Sequence, residues 1–289
     1  MNYWTSKLIM SYFNIKSYAK INLVLNIIGK SKKLHKIESI VAFLDLHDDI
    51  RIRKINLKNH KIKFVGKFSA GIKSKNTVSK LFENIEKNKL LKNKYQIIIK
   101  KNIPSKSGLG GGSMNAANIL NFFLKKKIIK IKKKEILKLS NSIGSDVILG
   151  LHSKTLILKK NFRIKILPFK KKFHILIVKP NFGCSTKMIY SNVKKFSKPK
   201  FNSISKNFID LSFIKKNKND LEKIAFHKYP KLKNLKIFLD KLTNTELVRM
   251  TGSGSAIIVY FNSAEKCKDA EKKVKKKFRN YWCKTSKTI

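Results

Sequence analysis

Apolar residues recur along this chain in two rhythms, and their succession predicts a mixed α+β protein. Ser17–Ile28 (SYAKINLVLNII) alternates: Ile21, Leu23, Leu25 and Ile27 share one face, and Lys20, Asn22, Val24 and Asn26 share the other. Ile37–Leu46 is a second, more continuously apolar strand. Asp48-Asp49 reads as a turn into a third, Ile50–Leu57. A Lys/Gly-rich stretch over 58–76 is expected as loop or hairpin. Asn76 then caps a helix over Thr77–Leu91, with Val78, Leu81, Phe82 and Ile85 as its packing stripe. Tyr95–Ile103 is a buried strand closed by Pro104. Beyond Ser113 the helical period returns, placing Ala116, Ala117, Leu120, Phe123 and Leu124 together, and Lys132–Ser142 is a short amphipathic helix that Gly144 ends.

In the second half, Thr155–Leu158 and Phe162–Leu167 suggest a hairpin, Phe173–Val178 a buried strand, and Cys184–Val193 a helix capped by Ser185 or Thr186. Lys194–Lys218 is the most linker-like region, although Phe208, Ile209, Leu211 and Phe213 call for packing partners. Helices follow from Asn219 to about His227 and over Pro230–Leu242. A buried strand, AIIVYF, comes after Ser255, and a lysine-coated helix spans Ala264–Phe278. The change of composition at Pro168 suggests two domains, residues 1–168 and 169–289.

With 289 residues, 42% of them hydrophobic, the chain can build a substantial core. Its 67 Lys+Arg against 16 Asp+Glu give a net charge of +51. Such a charge points towards polyanions, yet the lysines are spread along the whole length. Abundant Ile and Asn accompany them, which is the signature of AT-rich codons. No RNA-binding aromatic signature, helix-turn-helix or zinc motif appears, so no specific nucleic-acid partner is expected. Cys184, Cys267 and Cys283 lack paired spacing, which suits a reducing compartment. No apolar run approaches the ~18 residues of a membrane span. The opening MNYWTSKLIMSYF lacks the marks of a secretion signal, so the expectation is a cytoplasmic protein without a membrane partner.

The chemistry concentrates in Lys101–Ala117, KNIPSKSGLGGGSMNAA. Gly108, Gly110, Gly111 and Gly112 allow positive φ and close approach of a ligand. A strand, a glycine loop and a helix start then aim free N–H groups and a positive dipole end at one spot, which suits a phosphate. It is neither a Walker A loop, because Ser113-Met114 replaces Lys-Ser/Thr, nor a dinucleotide fingerprint, because Lys125–Lys134 supplies no acid at the required distance. Other candidates are scattered. Lys20 and Asn22 on one strand face could hold a hydroxyl and a phosphate oxygen. Asp146, ahead of Val147-Ile148-Leu149, is an N-cap, a paired structural charge or a functional carboxylate. His35 is either a surface residue or a ligand contact. Gly252-Ser253-Gly254 is either a tight turn or a second place where backbone meets phosphate.

Taken together, these clusters resemble the GHMP kinase superfamily of small-molecule kinases. Tyr18-Ala19-Lys20-Ile21-Asn22-Leu23 matches its P-A-K-I/L-N-L strand, and Lys33-Leu34-His35 matches G-Y-H in part. Pro104–Ala117 matches P-x-x-x-G-L-G-G-G-S-S-D/N-A-A. Gly144–Val147 matches G-x-D-V, Asn219–Glu222 N-D-L-E, and Met250–Gly254 M-S/T-G-S-G, in order over nearly the whole chain. The resemblance implies a two-domain α+β fold with its active site in the inter-domain cleft. It is nearest to the branch that moves the ATP γ-phosphoryl group to the 2-hydroxyl of a cytidine-diphosphate derivative of methylerythritol. Homoserine- or mevalonate-type acceptors are the alternative, and a nonspecific polycation is a more distant one.

The same resemblance implies roles. Lys20 and Asp146 would be catalytic, with Asp146 as general base. Pro104, Ser107, Gly108, Leu109, Gly110, Gly111, Gly112 and Ser113 would bind ATP, and Ser113 is a possible contact to Mg²⁺. Asn22, His35, Tyr190, Gly252, Ser253 and Gly254 would meet the substrate, with His35 and Tyr190 at its cytidine end. A monomer or homodimer is expected. Three departures stand out: Leu34 replaces an aromatic, Met114 replaces a small Ser and could crowd the phosphate, and KKNFR (Lys159–Arg163) replaces a glycine-rich hairpin.

Overall fold

The computed structural model describes residues 11–31, 34–160, 163–167, 172–201 and 210–289. Expectations placed on the first ten residues, Lys33, Phe162, Pro168 and Phe208-Ile209 lie outside these residues. Among the described residues the order is β1 (Phe13–Ser31), β2 (Leu34–Ile55), β3 (Lys61–Val65), α1 (Thr77–Lys87), β4 (Lys94–Lys100), α2 (Gly111–Lys125), α3 (Lys133–Ile143) and α4 (Val147–Gly150). Then come β5 (Leu156–Leu158), β6 (Ile164–Ile166), β7 (His174–Lys179), α5 (Thr186–Ser191), α6 (Leu211–Lys215), α7 (Glu222–Lys228) and α8 (Pro230–Asp240). The chain closes with β8 (Leu247–Met250), β9 (Ile257–Phe261), α9 (Ala264–Lys277) and β10 (Trp282–Lys287). Two compact units result. Among the described residues, one holds 11–17, 47–103 and 112–152, and the other holds those within 18–46, 104–111 and 153–289.

In the first unit, the end of β2 runs antiparallel to β4 from Asp49↔Lys100 to Ile55↔Lys94, and β3 lies parallel to β4 on its far side. Period-two alternation turns Ile50, Ile52, Ile97 and Ile99 to one face. There they meet Val78, Leu81, Phe82 and Ile85 of α1 and Ala116, Ala117, Leu120 and Phe123 of α2. Burying each large apolar side chain contributes roughly 1.5–3 kcal/mol. The side chain of Asn76 accepts from the amides of Val78 (2.9 Å) and Ser79 (3.1 Å), which starts α1. That helix stops at Lys87 rather than Leu91, because Asn88 caps it and Lys89 follows with φ of 52°.

The largest correction concerns Asp48-Asp49. Instead of turning the chain, these residues lie inside β2, one strand of 22 residues. Asp48 is fully buried. Its carboxylate accepts from Lys101 Nζ, from the amides of Asn102 (2.7 Å) and Ile103 (2.9 Å), and from Asn115 Nδ2 (3.0 Å). One carboxylate thus ties the exit of β4 to the second turn of α2, on either side of the glycine loop. Asp48→Ala would leave the Lys101 ammonium buried and uncompensated. It is expected to destabilise the protein by about 3–5 kcal/mol in urea unfolding, whereas a loss below about 1 kcal/mol would show the pair to be dispensable.

The second unit is built on a four-stranded antiparallel sheet, β10-β7-β9-β8. All five residues of β9 are buried. Leu176, Val178, Ile257 and Val259 pack with Leu25 and Ile27 of β1, Leu232, Leu235 and Leu239 of α8, and Val274 of α9. Near its start β2 pairs with β5, Ser39↔Leu158 to Val41↔Leu156, and β5 pairs with β6 as the expected hairpin. The linker-like region contains α6, capped by Asp210, whose side chain accepts from the Phe213 amide at 2.7 Å.

Candidate active site

The second unit gathers several of the candidate residues. Lys20 and Asn22 stand two apart on β1, so both point to the same face, and each is 3% exposed. Lys20 Nζ donates to Asn22 Oδ1 at 2.6 Å. Asn22 Nδ2 donates to Ser39 Oγ at 2.8 Å, and that hydroxyl donates to the Val24 carbonyl at 2.7 Å. This relay fixes the amide of Asn22, and with it the position of the ammonium. The glycine loop closes over the same strand: the Lys20 amide donates to the Leu109 carbonyl at 3.0 Å. A Cβ on Gly110 would come within 2.8 Å of Lys20 Cγ, so the loop backbone rests directly on the lysine stem. Ser107 steadies the loop by donating to the Pro104 carbonyl at 2.8 Å.

The Gly-Ser-Gly turn meets the loop in the same unit. Thr251 Oγ1 accepts from the Asn22 amide at 3.0 Å and donates to the Gly108 carbonyl at 3.3 Å. Gly108 (φ +78°) has no room for a side chain, because a Cβ would lie 2.1 Å from the Thr251 carbonyl oxygen. Gly252 (φ +55°) faces Gly108 in turn, and the Gly254 amide donates to the Thr251 carbonyl at 3.0 Å. Ser253 Oγ is 2.8 Å from Thr186 Oγ1 at the start of α5. Ser39 and Thr251 were not among the sequence candidates. Nor was the clasp made by the N-D-L-E element. Asn219 Nδ2 donates to the carbonyls of Met250 (2.9 Å) and Gly252 (2.8 Å), Asp220 accepts from the Ile27 amide (2.8 Å), and Glu222 accepts from the Met250 amide (2.9 Å). Burial pushes the Glu222 carboxyl above its ordinary range, although that amide bond opposes the shift.

Helix α2 begins at Gly111, so the amides of Gly111, Gly112 and Ser113 belong to its first turn, where N–H groups lack intrahelical acceptors. In the first unit, a Cβ on Gly144 would lie 3.8 Å from Ser113 Oγ, which puts the G-x-D-V element beside the helix start. Asp146, half-buried, is the N-cap residue of α4, and its carbonyl accepts from the Leu149 amide at 3.2 Å. Met114, read above as able to crowd a phosphate, packs away in the core of the first unit. It is fully buried and turned towards α4, where a Cβ on Gly150 would be 3.0 Å from its sulfur.

His35 and Tyr190 meet in the second unit, with ring centroids 5.2 Å apart. Burial, and then the charge of Lys30, hold His35 below its ordinary pKa. At neutral pH the imidazole is therefore uncharged and offers one hydrogen-bond donor and one acceptor.

Residues 76–154 match the family described as GHMP kinases N terminal domain. The chain is 55% identical over 281 residues to the 4-diphosphocytidyl-2-C-methyl-D-erythritol kinase of Pelagibacter ubique (strain HTCC1062), covering 97% of this chain and 100% of that protein. The kinase of the same name from Anaplasma marginale (strain Florida) is 32% identical over 283 residues, 95% of this chain and 96% of its own. Among solved structures, a 4-(cytidine 5'-diphospho)-2C-methyl-D-erythritol kinase superposes with a TM-score of 0.73 at 21% identity, over 95% of this chain and 99% of that one. Homoserine kinase from Cytophaga hutchinsonii ATCC 33406 superposes with a TM-score of 0.71 at 16% identity, over 100% and 97%. The fold expected from the motifs is thus the one observed, a GHMP kinase fold of α+β class. The two structural scores are so close that shape alone does not separate the two kinds of kinase. This chain belongs to the GHMP kinases, and within them to the 4-diphosphocytidyl-2-C-methyl-D-erythritol kinase family.

Proposed function

We propose that the protein phosphorylates the 2-hydroxyl of 4-diphosphocytidyl-2-C-methyl-D-erythritol with ATP, releasing ADP, in the making of isoprenoid precursors. The observation that carries the chemistry is the placement of Lys20, a buried ammonium held by Asn22 with the loop backbone at Gly110 resting on its stem. The choice of acceptor is supported by the 55% identity to a relative of that name. Phosphoryl transfer passes through a loose transition state, so the protein's task is positioning and charge stabilisation. The amides of residues 108–113 hold the β- and γ-phosphates, with Pro104, Ser107 and Leu109 shaping the loop. Asp146 takes the proton of the 2-hydroxyl as its oxygen bonds to the γ-phosphorus, and the bridging oxygen leaves with ADP. Lys20 steadies the charge on the transferring group. Asn22 lines the acceptor site and orients Lys20, while Gly252, Ser253 and Gly254 give the diphosphate a backbone to approach closely.

Among the described residues, no three His, Cys, Asp or Glu side chains gather as a metal cluster, and the Ser113 hydroxyl is the donor at the helix start. A Mg²⁺ that arrives on the phosphates would meet the Ser113 hydroxyl and, when bound, would neutralise β- and γ-phosphate charge. Purified protein incubated with ATP and Mg²⁺ should release ADP with 4-diphosphocytidyl-2-C-methyl-D-erythritol, and not with homoserine or mevalonate. Turnover of either of the latter alone would overturn the assignment.

A further inference from the structure

We infer that Phe196 is a specificity-determining wall of the nucleobase site, stacking on the pyrimidine ring that His35 and Tyr190 meet. The inference rests on the proposed function, which puts those two residues at the cytidine end of the substrate. Three rings cluster here: His35 lies 5.2 Å from Tyr190 and 6.5 Å from Phe196 between centroids, tilted to them by 48° and 53°. Both separations are within the range at which aromatic groups attract. Phe196 nonetheless remains 49% exposed, and Leu34, next to His35 in sequence, is 69% exposed.

A single exposed apolar residue is ordinary. What distinguishes Phe196 is that its backbone is fastened on both sides while its ring is left open. Ahead of it, the Val193 amide donates to the Tyr190 carbonyl at 3.2 Å. Directly after it, the Ser197 amide donates to the Ile27 carbonyl at 2.7 Å, and the Ser197 hydroxyl donates to Asp220 at 2.7 Å. Further on, the Lys200 and Phe201 amides donate to the fully buried carboxylate of Glu38, at 2.8 and 3.3 Å, and the Phe201 ring is itself fully buried. A segment anchored by the carboxylates of Asp220 and the buried Glu38 could have turned its aromatic inward, as it does at Phe201. Instead it presents Phe196 beside an uncharged imidazole. That is a preorganised apolar surface which a flat heterocycle would cover. The other exposed phenylalanine among the described residues, Phe13, already rests on Phe122, with centroids 5.3 Å apart. Leu34, beside His35 in sequence, has no π face, and Phe196 is the further ring that His35 meets besides Tyr190.

Phe196→Ala is expected to raise KM for the cytidine substrate about 5- to 100-fold, the loss of one base-stacking partner. kcat and KM for ATP should stay within about twofold. Calorimetry should show CDP affinity falling by the same factor while ADP affinity holds, and Phe196→Trp should restore both. Tyr190→Ala serves as the reference. If Tyr190→Ala raises KM and Phe196→Ala does not, the inference falls while the proposed function stands. If neither variant alters KM or CDP affinity, the placing of the cytidine end at His35 and Tyr190 falls, and the inference with it. A parallel loss of ADP affinity in Phe196→Ala would signal general damage and would likewise overturn a base-specific role.

Discussion

Replacing Asp146 by Asn is expected to lower kcat by roughly 10²- to 10⁴-fold, with little change in KM for ATP or for the alcohol. The substitution keeps the shape of the side chain, and Asp146 makes no side-chain cap bond to α4, so the helix should start where it does now. On the proposed mechanism, what is lost is the capacity to accept a proton from the attacking hydroxyl. Because the phosphoryl acceptor is a neutral alcohol, that proton has to go somewhere as the oxygen–phosphorus bond forms. Steady-state kinetics with both substrates varied, alongside thermal unfolding of the variant, separates a chemical defect from a folding one. Near-native turnover in a stable Asp146→Asn variant would remove the residue from the mechanism.

A second large effect is expected from Gly108→Ala. The new methyl group would sit 2.1 Å from the Thr251 carbonyl oxygen, at a φ of +78°. The backbone conformation alone costs an L-residue roughly 1–2 kcal/mol, and the clash is with main chain that cannot swing aside. Loop and turn must separate, and displacement of positioning groups by about 1 Å can cost ~10²-fold in rate. We therefore expect KM for ATP to rise and kcat to fall together. Gly71→Ala is the internal control. Its φ is +73°, but nothing lies within 4 Å of the added carbon, so it should cost stability without touching activity. Equal activity in Gly108→Ala and Gly71→Ala would show that contact between loop and turn is irrelevant to catalysis.

Much of the fold is legible in local pattern. The alternation in β1, the apolar runs of β4, β7 and β9, and the stripes of α1, α2 and α9 all follow from side chains meeting the core of their own unit. Three short strands escaped. β3 is mostly lysine and aliphatic, β8 has four residues, and β10 (WCKTSK) is largely polar. Their strand state comes from the neighbours they pair with, which no local rhythm announces. Asp48-Asp49 misled for a related reason: two acids in sequence look like a turn until a lysine 53 positions away is placed beside one of them. The site shows the same divide. Lys20 with Asn22, and the glycines of the loop, declare themselves by spacing. Ser39, Thr251, Asn219 and Asp48 act through partners far along the chain, and only their coordinates reveal it.

The Thr251 hydroxyl, which bonds at once to the backbone of Asn22 and of Gly108, has a bearing on how the molecule is made. Asn22 and Thr251 stand 229 positions apart, and closing so long a chain segment carries an entropic cost that earlier contacts must offset. A nascent polypeptide can build its first helices and strands while still being synthesised, but the clamp on the glycine loop waits until the chain has been made as far as Thr251. Incomplete translation products should accordingly be inert rather than partly active.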